Sequence, residues 1–203
     1  MSSLINYRER FQSMVDELIE HPQIEVIRYK IDKASKAAPY RIKFANEYLQ
    51  KLLLPPLTKD LVAFYSECSR IRLEWRLKSA PPNRNNHGNI DIEPINRVFD
   101  SWRNCMPNEF KALHPFDFFI EEACVALNLN GDENPMLHFH RLGHGGGSMG
   151  IDISGYLELL LKSRGFWYWQ TSIVGGGREE QEFRDTMPKL FPDYRDSDFV
   201  RIV

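Results

Sequence analysis

The spacing of apolar residues changes along the chain, and each spacing predicts its own kind of element. Between Leu4 and Leu18 apolar residues recur every three or four positions, as they do on one face of an amphipathic helix. His21-Pro22 is expected to end this helix. Residues 24–31 fit both an alternating strand and a helical stripe. The good helix formers that follow favour a helix for this segment.

Two further helices are expected before the first clear strand. Pro39 begins the first of them, and it ends before Pro55-Pro56, because a residue that precedes proline avoids the helical region. Thr58 is placed to cap the second helix, which runs through Cys68. The first of these helices carries five apolar residues on one face: Tyr40, Phe44, Tyr48, Leu49 and Leu52. The second is expected to turn three inward: Leu61, Phe64 and Tyr65.

Strict alternation begins at Ile71 and continues to Leu77, which predicts a half-buried antiparallel strand. The polar, proline-rich stretch from Ser79 to Gly88 is expected to be a loop. A short strand, Asn89 to Ile92, then leads into a helix that extends through Trp102.

Three consecutive strands are expected in the second half of the chain: Phe116 to Ile120, Ala123 to Leu129 and Met136 to Leu142. The turn Asn130-Gly131-Asp132 would join the last two as a hairpin. A glycine-rich loop, Gly143 to Gly150, follows.

Two helices are expected at the end of the chain. The first runs from Ile153 to Tyr168 and the second from Arg178 to Lys189, and Gly175 to Gly177 form a hinge between them. Grouped strands and grouped helices indicate an α+β protein, in which an antiparallel sheet is covered by helices and extra helices lie at both termini.

Several of these segments together resemble the SUKH superfamily, a group named for a yeast regulator of cell-wall glucan synthesis and its bacterial relatives. The similarity covers roughly residues 39–169. The family segment of the type LP-x-x-Y/F-x-x-F/Y is matched by five residues: Leu54, Pro55, Leu61, Phe64 and Tyr65. The family's sheet contains a short meander of consecutive antiparallel strands, which is matched here by Ala123 to Leu129 and Met136 to Leu142. Cys68-Ser69-Arg70 stands where the family has an Asn-Gly turn, which is a departure.

The resemblance implies binding and no chemistry. Many bacterial SUKH proteins resemble immunity proteins, which neutralise a cognate toxin, and the yeast relatives resemble signalling hubs. The family is not defined by a catalytic motif, so no catalytic residue carries over. The implied mechanism is steric occlusion of a toxin's active site by a preformed surface.

Charge and cysteine content narrow the function classes. Lys and Arg number 26 against 28 Asp and Glu, and this balance argues against a nucleic-acid-binding or membrane-surface role. The slight acidic excess would suit a basic toxin surface. Cys68, Cys105 and Cys124 are scattered and odd in number, which is typical of a reducing compartment. No signal peptide or long apolar run is evident, so we expect a soluble cytoplasmic protein.

Three histidines form the sharpest chemical cluster of the sequence. His138 and His140 are two residues apart on a predicted strand and therefore point to the same face, and His144 follows in the loop. Zinc would need a fourth partner, for which Asp152 or Glu121 would serve. In the alternative interpretation Phe139 defines the buried face and the histidines are half exposed.

Four consecutive aromatic residues, Phe166 to Trp169, cannot all be buried on one helix. Either some of them face a partner, since Trp and Tyr are common interface anchors, or the C-terminal helices cover them.

The sequence thus predicts an N-terminal helical extension over residues 1–38 and a SUKH-like domain over 39–203. The predicted function is a non-enzymatic protein-binding module, an immunity protein with a toxin domain as partner and no cofactor, acting as a monomer or weak dimer. The alternatives are an intracellular scaffold or regulator of cell-wall synthesis signalling, and a small metal-dependent hydrolase that uses His138, His140 and His144.

Overall fold

The computed structural model describes residues 6–79, 86–99, 113–129 and 135–200. Within these ranges the helices are α1 (Tyr7–Glu20), α2 (Ala38–Lys51), α3 (Lys59–Glu67), α4 (Ile95–Val98), α5 (Ile153–Ser163), α6 (Thr171–Val174) and α7 (Arg178–Leu190). The strands are β1 (Ile24–Lys33), β2 (Cys68–Leu77), β3 (His87–Ile92), β4 (Leu113–Ile120), β5 (Ala123–Asn128), β6 (Leu137–Arg141) and β7 (Gly145–Ser148).

All of these strands belong to one antiparallel sheet, in which each strand pairs with the next along the chain. Apolar side chains of the strands and of α1, α3, α5 and α7 form a continuous core. The prediction of an α+β fold with an antiparallel sheet and terminal helices is confirmed. Its closer likeness to SUKH stays a prediction.

Strand β2 follows the predicted alternation. Ile71, Leu73 and Trp75 are buried, whereas the arginines and the glutamate between them lie on the opposite face. On that face Arg70 and Arg72 both bind the carboxylate of Asp91 on β3. The alternation sorts the side chains because one face of an antiparallel sheet packs on the core while the other meets water.

The prediction of a helix over residues 24–31 is wrong, because this segment is strand β1. It pairs with β2 over its whole length, from Ile24 opposite Leu77 to Lys33 opposite Cys68. The register shifts between Val26 and Arg28, as it does at a β-bulge. Ile27 is the extra residue, and it breaks the strict alternation. Ile24, Ile27 and Ile31 then fall at spacings of three and four, which resemble a helical stripe.

The glycine-rich run was expected to be a loop, but part of it is strand β7. Gly145 to Ser148 pair with β6, and Gly146 lies opposite His140. A Cβ atom at Gly146 would lie 2.1 Å from the carbonyl oxygen of Phe139, so no larger residue fits at that position without displacing the backbone. Glycine is depleted in strands, which is why pattern alone missed this one.

Helix α5 ends five residues before the predicted end, because Arg164 adopts a left-handed conformation with φ of 52°. Its guanidinium binds Glu17 on α1 and Asp193 in the C-terminal segment, and it stacks on the ring of Phe191. We call this group the Arg164 clamp. It joins three distant parts of the chain at one buried cation.

The aromatic run after α5 is mostly covered. Phe166, Tyr168 and Trp169 are each 1% exposed, and Trp167 is half-buried. The ring of Phe166 packs 5.7 Å from that of Phe183 on α7. The interpretation that C-terminal elements cover these rings is therefore confirmed for Phe166 and for Trp169, which packs on Phe199, whereas Tyr168 packs on Phe119 and Phe139 of the sheet.

The N-terminal segment shares the core of the rest of the chain. Tyr7 and Phe11 of α1 and Ile24 of β1 belong to the same buried cluster as Trp75. Helix α4 spans Ile95–Val98, with Phe99 as its C-cap. The predicted turn at 130–132, most of the loop between Ser79 and Gly88, the helix end at Trp102, and Cys105 lie outside the described residues.

Candidate interaction surface

Large apolar side chains are concentrated on the outside of α2 and just after its end. Among the described residues ten large apolar side chains are exposed, and four of them are Tyr40, Phe44, Leu52 and Leu53. Tyr40 is 73% exposed and Leu53 is 94% exposed. We call these four residues the α2 surface. Apolar side chains exposed singly are normal, but a cluster of them marks an interaction site.

The orientation of α2 explains this exposure. The helix packs inward through Ala38, Ala45 and Leu49, two of which are small. Tyr40 and Phe44 lie one turn apart on the outer side, away from Ala45. The sequence grouped Tyr40, Phe44, Tyr48, Leu49 and Leu52 on one face, whereas the structure buries only Leu49 and half-buries Tyr48.

Leu53 occupies a backbone position that favours glycine. Its N–H donates to the carbonyl of Gln50 at 3.1 Å, and the N–H of Leu54 donates to that of Leu49 at 3.0 Å. This pair of bonds is the Schellman ending of a helix, in which the residue after the C-cap is left-handed. Leu53 has φ of 58°, which costs a leucine about 1 kcal/mol or more. The chain thus holds an exposed leucine in a strained conformation.

We expect Leu53→Gly to raise the free energy of unfolding by about 0.5 to 1 kcal/mol. Glycine adopts the left-handed conformation without steric cost, but it also increases the conformational entropy of the unfolded chain, which offsets part of the stabilisation. Leu53→Ala is the matched control, since it removes the same exposed side chain but keeps the strained conformation. Urea unfolding of both variants measures the difference. A Leu53→Gly protein no more stable than Leu53→Ala would show that the position carries no strain.

A groove of about 710 Å³ runs beside the α2 surface. Its apolar lining comes from Pro39 and Ile42 on α2 and from Leu54 and Pro56 in the segment that follows the helix. Glu47 also lines it, three residues from Phe44. An exposed apolar ridge next to a partly apolar groove offers a partner both protrusions and a pocket.

The same stretch of chain is basic. Residues 33–59 hold six lysines or arginines and one glutamate, a formal charge of +5 in a chain whose total is −2. Lys43 makes an ion pair with Glu47, with 3.7 Å between Nζ and Oε1. The other five basic residues make no ion pair with any residue that the structure describes: Lys33, Lys36, Arg41, Lys51 and Lys59.

The three histidines do not assemble into a metal centre. His138 and His140 do share one face of β6, opposite Ala126 and Cys124 of β5. His144 lies in the exposed turn after the strand, where its backbone N–H donates a hydrogen bond to the carbonyl oxygen of Arg141. Burial lowers the pKa of His138, and His140 lowers it further. Among the described residues no three His, Cys, Asp or Glu side chains form a group that could hold a metal ion.

The proposed fourth metal ligands have other positions. Asp152 caps α5, with its Oδ1 accepting a hydrogen bond from the N–H of Gly155 at 2.8 Å. Glu121 lies exposed in the turn between β4 and β5. Phe139 faces the core against Phe119 and Tyr168, which confirms the interpretation in which the phenylalanine defines the buried face of β6.

A buried carboxyl lies in the core, and the sequence did not single it out. Asp117 on β4 is fully buried, and it accepts hydrogen bonds from Tyr156 Oη at 2.7 Å and from the N–H of Asp91 at 2.8 Å. Burial raises its pKa to about 7 against the two hydrogen bonds, which lower it. Nearby Asp91 and Glu93 raise it further. The group tethers β4, β3 and α5.

Two global findings bear on the function classes. No helix in the described ranges is long and apolar enough to cross a membrane. Comparisons with protein-family models, with curated proteins and with solved structures each find no match.

Sequence reasoning missed the α2 surface, although a signal was present. Three consecutive leucines, Leu52 to Leu54, follow the last turn of a helix that already buries Leu49. In the helix predicted from sequence, which continued to Leu54, side chains at adjacent positions would point about 100° apart, so such a run could not all enter the core.

Proposed function

We propose that this protein is a non-enzymatic binding module that engages a partner protein through the α2 surface. The observation that carries the proposal is the strained, 94% exposed Leu53 just after the end of the helix whose outer side carries the exposed rings of Tyr40 and Phe44. Non-glycine residues held in strained backbone conformations cluster at functional sites. Aromatic and aliphatic side chains of this kind are the usual energetic centre of protein interfaces.

Toxin immunity is the specific function that we favour for the module. The resemblance to the SUKH superfamily supports it, as does the rigid support beneath the α2 surface, where Ala45 and Leu49 are anchored in the core. A preformed surface loses little conformational entropy on binding, so it can occlude a toxin's active site tightly. The interaction would take place in the cytoplasm.

The test is site-specific photo-crosslinking in the organism that encodes the protein. A benzophenone side chain replaces Tyr40 in one strain and Phe44 in another, and Tyr29 of β1, which is 46% exposed, is the matched control position. We expect the same protein to be cross-linked from both α2 positions and not from position 29. That protein is then purified and its affinity measured for the wild type and for the double variant Tyr40→Ser/Phe44→Ser.

Loss of two central interface side chains is expected to weaken binding at least tenfold, since such residues each contribute about 1 kcal/mol or more. Unchanged affinity in a folded double variant would refute the binding role of the α2 surface. Immunity requires in addition that the partner arrests growth when expressed alone and that the wild-type protein restores it. A partner without toxicity would replace immunity by the scaffold or regulator function.

A further inference from the structure

We infer that the partner of the α2 surface is a protein whose contact face is acidic, with carboxylates surrounding an apolar pocket. This inference rests on the proposed function and names the chemistry of the partner. It also reverses the expectation, drawn from the net charge of the whole chain, that the partner is basic.

Local charge, not the chain total, supports the inference. Residues 38–54, which carry the α2 surface, hold Arg41, Lys43 and Lys51 against Glu47, a formal charge of +2, so the remainder of the chain has −4. Arg41 and Lys51 lie on the same helix as Tyr40 and Phe44, and neither makes an ion pair with a described residue. Unpaired surface cations around an apolar centre attract a face of opposite sign and speed its association.

Glu47 identifies the partner as a protein and not a polyanion. It lies on α2 between Phe44 and Lys51, three residues after the first and four before the second, so it shares their side of the helix. Its side chain is 54% exposed. A nucleic acid or an anionic bilayer presents dense negative charge, which Glu47 disfavours even though Lys43 pairs with it at 3.7 Å. A protein can place a donor opposite Glu47 and carboxylates around it.

Apolar shape gives the second part of the inference. Leu53 projects from a helix end and is 94% exposed, which suits insertion into a pocket of the partner. The groove lined by Ile42, Leu54 and Pro56 can receive an apolar side chain in return. Charged residues at the rim then set orientation and rate, while the apolar residues at the centre supply most of the affinity.

Selection from a random peptide library displayed on phage tests the inference on the full-length protein. Peptides that bind the wild type and not Tyr40→Ser/Phe44→Ser are sequenced and synthesised. We expect them to carry a net negative charge together with bulky apolar residues. Their affinity should fall about tenfold when NaCl is raised from about 0.05 M to about 0.5 M, because salt screens exposed charges.

Charge reversal separates local from global electrostatics. Arg41→Glu and Lys51→Glu are each expected to weaken the selected peptides about fivefold, whereas Lys189→Glu, the same change on the exposed end of α7, leaves them within about twofold. A thymidine oligonucleotide and vesicles of phosphatidylserine and phosphatidylcholine are measured in parallel. Tighter binding of either one than of any peptide would overturn the inference.

The two possible failures are distinguishable. The selected peptides could depend on Tyr40 and Phe44 and yet be neutral or basic, or bind equally well after Arg41→Glu and Lys51→Glu. Either result would refute the acidic partner but not the proposed binding role of the α2 surface. Selection that yields no peptide dependent on Tyr40 and Phe44 would refute both.

Discussion

Replacing Gly88 with alanine is expected to lower the free energy of unfolding by about 3 kcal/mol, the combined cost of overpacking and of a lost buried hydrogen bond. Gly88 on β3 lies opposite Trp75 on β2. A Cβ atom there would lie 2.1 Å from Nε1 of the indole, which is fully buried and donates to the carbonyl of Arg164 at 2.7 Å. The ring must move, and the carbonyl then loses its donor.

Three further variants make the interpretation specific. Gly147→Ala on β7, where no heavy atom lies within 4 Å of the added Cβ, is expected to change stability by less than about 0.5 kcal/mol. Trp75→Phe shortens the ring that a Cβ at position 88 would meet, so Trp75→Phe/Gly88→Ala should be destabilised by less than the sum of the single changes. Urea unfolding followed by circular dichroism measures all four proteins. Additive effects would show that the two residues do not collide.

Stability is expected to fall as the pH rises from about 4 to about 7, because of Asp117. The folded-state pKa of this carboxyl is raised from 3.8 to about 7 by its complete burial. The folded protein therefore binds a proton that the unfolded chain releases in this window. The stabilisation is complete below the unfolded pKa and is lost as the pH passes the folded one.

The expected effect is large. Each unit of pKa difference corresponds to about 1.4 kcal/mol, so between about pH 5 and about pH 8 the carboxyl should account for roughly 2 to 3 kcal/mol of lost stability. Asp117→Asn cannot ionise and keeps hydrogen-bonding groups at the same position. The pH-dependent loss in this variant should therefore be smaller than in the wild type by that amount.

Urea unfolding at the two pH values provides the measurement, and Asp185→Asn is the control. Asp185 is an exposed aspartate of α7 that accepts a hydrogen bond from Gln181, so its removal should leave the pH dependence unchanged. An equal loss of stability in Asp117→Asn and in the wild type would mean that Asp117 is ionised in the folded protein throughout this range.

Elements whose pattern reflects local burial were predictable from sequence. β2 alternates because one of its faces is in the core, and α3 begins where Thr58 accepts a hydrogen bond from the N–H of Leu61. α7 begins after the glycines, as its pattern indicated. In each case the information lies in neighbouring residues, so no distant contact had to be known.

The features that escaped prediction depend on contacts distant in sequence. A bulge obscured the alternation of β1, and β7 is a strand only because β6 supplies its hydrogen bonds. Tyr40, Phe44 and Leu52 were predicted to share one face of α2 but not to be exposed, because a hydrophobic stripe does not say which part of it the fold covers, and Leu53 was not singled out. Asp117 was missed because a lone aspartate in an apolar strand gives no sign of its partners, Tyr156 and the N–H of Asp91.

The unbroken order of the sheet has a consequence for synthesis on the ribosome. Since every described strand pairs with its successor, each new strand meets an existing edge as it emerges, and the short connections from β4 to β5 and from β6 to β7 need little loop closure. The Arg164 clamp cannot form strand by strand, because Glu17 is synthesised long before Arg164 and Asp193, the residues that complete it. We therefore expect nascent chains to build the sheet early and to acquire full resistance to proteases only after release.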